Sequence, residues 1–449
     1  MTYRFCNPIL MVGMTFFVTA CGFDPGKKSD IVIKDRIDDL VDRASEIGVE
    51  LEDEPGGANF EEAITIALMQ SPAVSSAMQA ERVAKSSLSA VKSQKNPQLS
   101  GNVRAGGLKY DDSSRDIVSG AALNVRLSQL IFDGGLVDGL VQTSEAEIAL
   151  AGAKKSEVVN EVAMDAASAW ASIWQAQESN EVLFALEEEL KPYLKQARRM
   201  SETGLVDRSL LDNVEQKVLD FELKKEEAVS ALRMAKMDFS NYFVNAEKPQ
   251  SLPQPIFSTE TMKTAISDKI VAPSMKVSAL ELLIDEHKVL TKQADFSPKI
   301  FVEMGAVSPM DPDDKSSLQA GLNVTYNVSD GGKRVAELAA ARENVKAKRY
   351  ALAAAKQKFE TMTGLILEKI DNLAASMNMM ASKLQMSRDK LKVAESQMQT
   401  GKSSVLKLVE ARVETALVEL DLIEKQTMEA KAKFELAALL GLFDKLVTH

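Results

Sequence analysis

Residues 123–135 read Leu123-Asn124-Val125-Arg126-Leu127-Ser128-Gln129-Leu130-Ile131-Phe132-Asp133-Gly134-Gly135. Leu123, Val125 and Leu127 alternate with Asn124, Arg126 and Ser128, the period of a β-strand with one apolar and one polar face. The run ends in a glycine-rich bend. The same signature returns later in the chain: Leu322-Asn323-Val324 stands 199 residues after Leu123-Asn124-Val125, and Asp330-Gly331-Gly332 stands 197 after Asp133-Gly134-Gly135. Thr203-Gly204 and Thr400-Gly401 are also 197 apart, while Pro72 and Pro273, and Asn96-Pro97-Gln98 and Ser297-Pro298-Lys299, are 201 apart. Proline and glycine in register identify one unit written twice. The segment between the Asp-Gly-Gly and the Thr-Gly keeps its length in both copies, as expected where geometry fixes it.

Each unit opens with a hairpin. Before the first bend Leu99, Val103 and Ala105 alternate with Ser100, Asn102 and Arg104, and Asp111-Asp112-Ser113-Ser114-Arg115 makes a polar tip. In the second unit Ile300, Val302, Met304 and Ala306 alternate with Lys299, Glu303 and Gly305; Asp311-Pro312-Asp313-Asp314 makes the tip, and Leu318 to Val328 return. Strands are expected at about 98–110, 119–131, 299–307 and 317–328. Their length suits a tilted strand crossing an outer membrane. Alternation alone equally fits strands of a soluble sheet.

After each bend apolar residues recur in steps of three and four, as in Val158, Val162, Ala166, Ala169, Ile173 and Ala176, then Leu183, Leu186, Leu190, Leu194 and Ala197. That is a coiled-coil seam about 100 Å long. Helices are expected at about 60–96, 135–203, 207–246, 273–296, 332–400 and 403–441. Thr203-Gly204 and Thr400-Gly401 suit a helix end and tight turn, with Asp207 and Ser403 placed to cap the next helix. Pro192 should kink the first long helix. Abundant alanine permits close packing, and the methionine run Met377, Met379, Met380 and Met386 reads as packing filler.

Composition narrows the function. The 449 residues are 45% hydrophobic, 27% charged and 5% aromatic, a large, ordered, helix-rich chain. A formal net charge of -11 and a pI near 5.1 argue against a nucleic-acid surface. Two His (His287, His449) and two Cys (Cys6, Cys21) supply neither a metal cage nor a disulfide framework. His287 sits in a helix-like run, Glu281 to Lys292, and reads as a surface residue. No nucleophile, base and orienter can be named, so neither an enzyme nor a cofactor is expected.

The first residues form an export signal: Arg4 precedes an apolar run from Ile9 to Ala20 too short to span a bilayer. It ends Val18-Thr19-Ala20-Cys21, which resembles a bacterial lipobox, with Cys21 then lipidated as the first mature residue. Gly22 is not the Asp that commonly retains lipoproteins at the inner membrane. The chain divides into a signal (1–20), an acidic leader (21–58), a first repeat (59–248), a Pro-rich linker (249–261) and a second repeat (262–443).

A duplicated unit of helix, Pro, strand hairpin, Gly-rich bend, long helix, Gly tip and returning helix resembles the TolC-like outer membrane efflux protein family. Pro97 and Pro298, Phe132-Asp133-Gly134-Gly135 with Asp330-Gly331-Gly332, and Gly204-Leu205 with Gly401 carry the likeness, from Phe60 to Leu442. The resemblance implies a mainly α fold with a transmembrane β-barrel: a homotrimer whose twelve strands close the barrel above a periplasmic helical tunnel. Two hairpins cannot close a barrel alone, and unpaired edges in lipid are costly, so the residues themselves call for oligomerisation. Implied partners are a periplasmic adaptor and an inner-membrane ABC or RND transporter, with docking at the helical tips through Gly204, Leu205, Gly401 and Val405.

In that family acidic residues constrict the entrance after the second tip, in a motif like Gly-Thr-Arg-Thr-x-x-Asp-x-x-Asp-Ala. Here the stretch reads Gly401-Lys402-Ser403-Ser404-Val405-Leu406-Lys407-Leu408-Val409-Glu410-Ala411. Glu410 keeps an acid, Lys407 replaces the other and Ser403 replaces the Arg. Lys407 and Glu410, three apart on a helix, are the candidate constriction and can pair within or between chains. The expected function is a passive exit duct for type I secretion or multidrug efflux in the outer membrane. The alternative is an exported, lipid-anchored coiled-coil scaffold without a channel.

Overall fold

The computed structural model describes residues 60–108, 118–205, 207–243, 249, 251–268, 270–309, 315–400 and 404–446. The signal, Cys6, Cys21, the leader, both strand-hairpin tips, Gly401, Ser403 and His449 lie outside them.

Helices α1 (Phe60–Gln70) and α2 (Pro72–Ser93) lead to strands β1 (Gln98–Leu108) and β2 (Val118–Phe132), then to α3 (Leu136–Glu202) and α4 (Arg208–Ser240). A short α5 (Thr259–Ser267) precedes α6 (Pro273–Ala294), β3 (Lys299–Ser308), β4 (Ser317–Thr325), α7 (Lys333–Gln399), α8 (Val405–Leu439) and a 3-10 turn, Leu442–Leu446. Both α3 and α7 have 67 residues, about 100 Å of helix.

Several boundaries differ from the sequence expectation. The helix expected over 60–96 is two, because Pro72 has no N–H to continue α1; Ser71 ends it, and its hydroxyl accepts from the Val74 N–H to cap α2. The linker expected to 261 is shorter, since Ser258 caps α5. Helix α3 passes through Pro192 without interruption. The cap of α8 is Ser404, whose Oγ accepts from Lys407 N at 3.3 Å, not Ser403.

The strands form one antiparallel sheet in the order β1-β2-β3-β4. Below it the helices stand side by side: α2, α3, α6 and α7 near the sheet, and α4, α3, α8 and α7 toward the far end. Helix α3 is the spine of both rows.

Small residues let α3 approach its neighbours: Ala163, Ala166, Ala167 and Ala171 are fully buried. Where the rows meet, aromatic rings fill the wider gaps. Trp170 meets Phe60, Phe239 and Phe243 at 5.1 to 5.5 Å between ring centres, and Phe60 also meets Phe434. A second core, Leu183, Leu186, Leu190, Val214, Phe221, Val405 and Val409, holds the tip ends together. Asn180 ties α3 to α4, its amide donating to the Ala176 and Ala228 carbonyls.

Candidate functional site

The sheet has two chemically distinct faces because directly opposed residues share a face. Register pairs Leu99 with Leu127, Val103 with Leu123, Leu127 with Met304, and Val302 with Leu322, so one face is apolar across all four strands. The other carries Ser100 opposite Arg126, Asn102 opposite Asn124, Ser128 opposite Glu303, and Gly305 opposite Gln319. Asn323 donates to Glu303 at 3.2 Å on this polar face. Leu99, Val103, Leu318, Leu322 and Val324 are strongly exposed. A soluble chain has no reason to display a continuous apolar sheet face of this kind. Among the described residues strands β1 and β4 each keep one unpaired edge.

The strand-to-helix bends are built alike. Asp133 accepts from the N–H groups of Gly135 (2.9 Å) and Val137 (2.7 Å), satisfying donors at the start of α3. Asp330 accepts from Gly332 and Arg334 N–H, both at 3.1 Å, and from Arg334 Nε at 2.7 Å. The Arg334 guanidinium holds the Asp330 carboxyl below its ordinary range, and it also donates to the Asp295 and Asn327 carbonyls. Gly134, Gly135, Gly331 and Gly332 have φ of 67 to 90°, which L side chains resist. Pro97 and Pro298 stand in the links between helix and strand, immediately before β1 and β3.

At the far end Gly204 turns the chain with φ 69°. Leu205 is 74% exposed. Val405, assigned to the same docking surface from sequence, is 2% exposed and belongs to the core beside Leu190 and Val214; as the first residue of α8 it faces α3, so it presents nothing to a partner. Lys407 and Glu410 are both exposed, yet among the described residues they form no ion pair with each other.

An ion cluster near this end centres instead on Arg412, five residues after Lys407 in α8. Its guanidinium reaches Glu395 on α7 at 2.7 Å and Glu189 on α3, and stacks 5.3 Å from the Tyr193 ring centre. One side chain thus fastens three helices. The sequence signal for it was an arginine on an otherwise apolar helix face, immediately after the motif that ends at Ala411.

Other sequence assignments change. His287 on α6 is half-buried, with Nδ1 buried and without a hydrogen bond in the described structure. Met379 and Met386 do not fill a core of the single chain; both are exposed. Among the described residues no group of His, Cys, Asp or Glu is placed to hold a metal ion, and no helix is long and apolar enough to cross a membrane. Between α3, α4 and α8 burial pushes the Asp165 carboxyl and Tyr242 hydroxyl up and the Lys431 ammonium down, with Glu161 and Asp238 adding negative charge near Asp165.

Comparison with known proteins agrees with this geometry. Residues 271–442 match the family model described as outer membrane efflux protein. A membrane protein from Pseudomonas aeruginosa is similar in fold at a TM-score of 0.74 and 14% identity, over 85% of this chain and 90% of that one. The Campylobacter jejuni CmeC outer membrane channel is similar at 0.75 and 13%, over 88% and 90%. The open state of the Neisseria gonorrhoeae MtrE outer membrane channel is similar at 0.70 and 16%, over 85% and 88%. Comparison with curated protein sequences gives no match. Residues 271–442 thus match the outer membrane efflux protein family, and along nearly all of its described length the chain is similar in fold to outer membrane channels.

Proposed function

We propose that this chain is one third of a trimeric outer-membrane channel that serves as the passive exit duct of an efflux or type I secretion system. The observation that carries the reading is the four-stranded sheet, apolar on one face and polar on the other, with both edges unpaired at the head of helices 67 residues long. In hydrocarbon every unpaired edge N–H and C=O costs several kcal/mol, so β1 of one copy must meet β4 of another. Three copies supply twelve strands, enough for a lumen with Arg126, Asn124 and Glu303 turned inward and Leu99, Leu123 and Leu322 turned to lipid.

The helix rows continue the barrel as a tunnel into the periplasm. The two halves derive from one duplicated unit. Export, lipidation of Cys21 and an outer-membrane location follow from the N-terminal signal. The tips, with Gly204 and Leu205, stand farthest from the membrane and dock a periplasmic adaptor and, through it, an ABC or RND pump; Gly401 is assigned to the same docking from the sequence. Lys407 and Glu410 line the entrance. Purified protein in detergent should have the native mass of three chains and give discrete conductance steps in planar bilayers; a monomer without conductance overturns the reading. Intact mass separately tests for the lipid on Cys21.

A further inference from the structure

Helices α3, α4 and α8 border an open trough of about 760 Å³ that the described side chains leave unfilled. That volume lies within the roughly 300 to 1,000 Å³ of small-molecule sites. Its origin is in the sequence. Where the three helices converge, α3 contributes Ala176 and α4 contributes Ala228, Ala231 and Ala235, and these methyl groups stop short of one another. Leu183, Met234, Leu417 and Leu420 stand around them as apolar walls. Met234 is 67% exposed and Leu417 39%. Along α3 the lining runs from Ser172 to Leu183, about 16 Å.

The two ends of the trough differ in charge. Helices α3 and α4 run antiparallel, with the Trp170 and Phe239 rings 5.5 Å apart toward one end and Lys225 Nζ 5.2 Å from the Phe184 ring centre toward the other. Helix α8 rises from the tips in the same direction as α4, since Arg412 near its start meets Glu189 on the tip side of α3. The end away from the tips therefore carries Asp238, Asp421 and Glu424, and the tip-side end carries Leu183 and Leu417 with Lys224 and Glu227. Lys224 and Glu227 lie 3.7 Å apart and offset each other. Asp238, Asp421 and Glu424 form no ion pair among the described residues, and Lys425 and Lys431, further along α8, do not line the trough. One end is thus negative, and the other is apolar and electrically balanced.

We propose that this trough binds an amphipathic organic cation, its positive group among Asp238, Asp421 and Glu424 and its apolar body along Met234 toward Leu183 and Leu417. Carboxylates without partners, set against apolar walls of low dielectric, concentrate cations, and the walls remove the rest of such a ligand from water. A metal ion does not fit, because among the described residues no group of His, Cys, Asp or Glu is placed to hold one. Acids drawn from two helices suit a charge spread over several atoms. All the lining residues belong to one chain, so the site does not need the ring and goes beyond the duct reading.

Ethidium, a planar organic cation, titrated with the purified full-length protein in non-ionic detergent should show a saturable rise in fluorescence anisotropy above that in empty micelles. Fluorescein, similar in size but negatively charged, should not. Asp421→Asn with Glu424→Gln should weaken ethidium binding about tenfold, and Ala231→Trp, which fills the trough, should abolish it. Glu227→Gln, about 16 Å along α4 from Asp238 and more than a screening length away, should change it less than about twofold. If ethidium binds no better than to empty micelles, or binds both the double variant and Ala231→Trp as well as the parent, the site is overturned, and a native mass of three chains leaves the duct standing. A monomer that binds ethidium and loses that binding in the double variant overturns the ring and supports the trough.

Discussion

A Cβ built on Gly134 would stand 2.2 Å from the Cβ of Ser297, and 2.4 Å from its Oγ. The bend that ends the first hairpin therefore lies directly against the turn that opens the second. Among the described residues no such neighbour surrounds Gly331 in the equivalent bend of the second half, where a Cβ would meet nothing within 4 Å. Equivalent glycines thus answer to different constraints: both require positive φ, but only Gly134 is also a point of close approach between the halves.

Gly134→Ala should therefore cost more than Gly331→Ala. The left-handed backbone costs about 1 kcal/mol in each case. At Gly134 the overlap with Ser297 must also be relieved by moving backbone, bringing the loss to at least about 2 kcal/mol. Thermal unfolding of both variants in detergent checks the order; equal losses would show that the Ser297 turn gives way to the added methyl without cost.

A second tie joins distant parts of the chain. Asn160 Oδ1 accepts from Phe443 N–H at 3.0 Å and its Nδ2 donates to Asp444 at 3.0 Å, while Ser156 also bonds Asp444. Gly441, at φ 73°, packs against Pro273. Asn160→Ala leaves the buried Phe443 N–H without its acceptor, a loss of about 2 kcal/mol. Hydrogen exchange at residues 442–446 should accelerate in this variant while the core around Trp170 stays protected. Unchanged exchange there would mean that apolar packing of Leu442 and Phe443 holds the C-terminal turn without Asn160.

How far the sequence disclosed this structure depends on the range over which each constraint acts. The bends, the strand alternation and the length of α3 and α7 were legible because glycine φ, period-two burial and seam periodicity are local properties. The break at Ser71 was missed although Pro72 cannot extend a preceding helix, because one helix was drawn through 60–96. Val405 was misassigned because adjacency to a tip says nothing about which way the first residue of a helix faces. Arg412 was missed because its partners, Glu189 and Glu395, come from two other helices and no spacing along the chain links them.

Acid should weaken the junction of α2 and α3. Glu81 accepts from Lys85 at 2.7 Å and Lys155 at 2.8 Å, and these ammonium groups bring its carboxyl down to about 2 from 4.5. Because the folded value is depressed, the stabilisation is fully present above pH 4.5 and is lost as pH falls from there toward 2. Solvent near the two lysines screens the pair, so the contribution at neutral pH is about 1 kcal/mol. Glu81→Gln should lower stability at pH 7 by that amount and leave it nearly unchanged near pH 2. A difference that persists undiminished at low pH would assign the loss to packing.

The entrance tests the role of Lys407. It stands on the first turn of α8, exposed, with Glu410 one turn on, and the two do not pair within the chain. In a closed ring three copies of each would give an entrance of three cations and three carboxylates, with pairs between copies worth about 0.2 to 1 kcal/mol each. Lys407→Glu turns that ring into six carboxylates, whose mutual repulsion favours the open state and whose field draws cations. In planar bilayers the variant should conduct more than the parent and prefer cations more strongly, and the difference should shrink in high salt as screening shortens the range of the charges. Arg412→Ala acts differently: it leaves the entrance charge pattern intact but frees Glu189 and Glu395, so it should loosen the helices at their tip ends without adding cation preference. If Lys407→Glu changes neither conductance nor selectivity, Lys407 faces solvent outside the lumen and the constriction is formed by other residues.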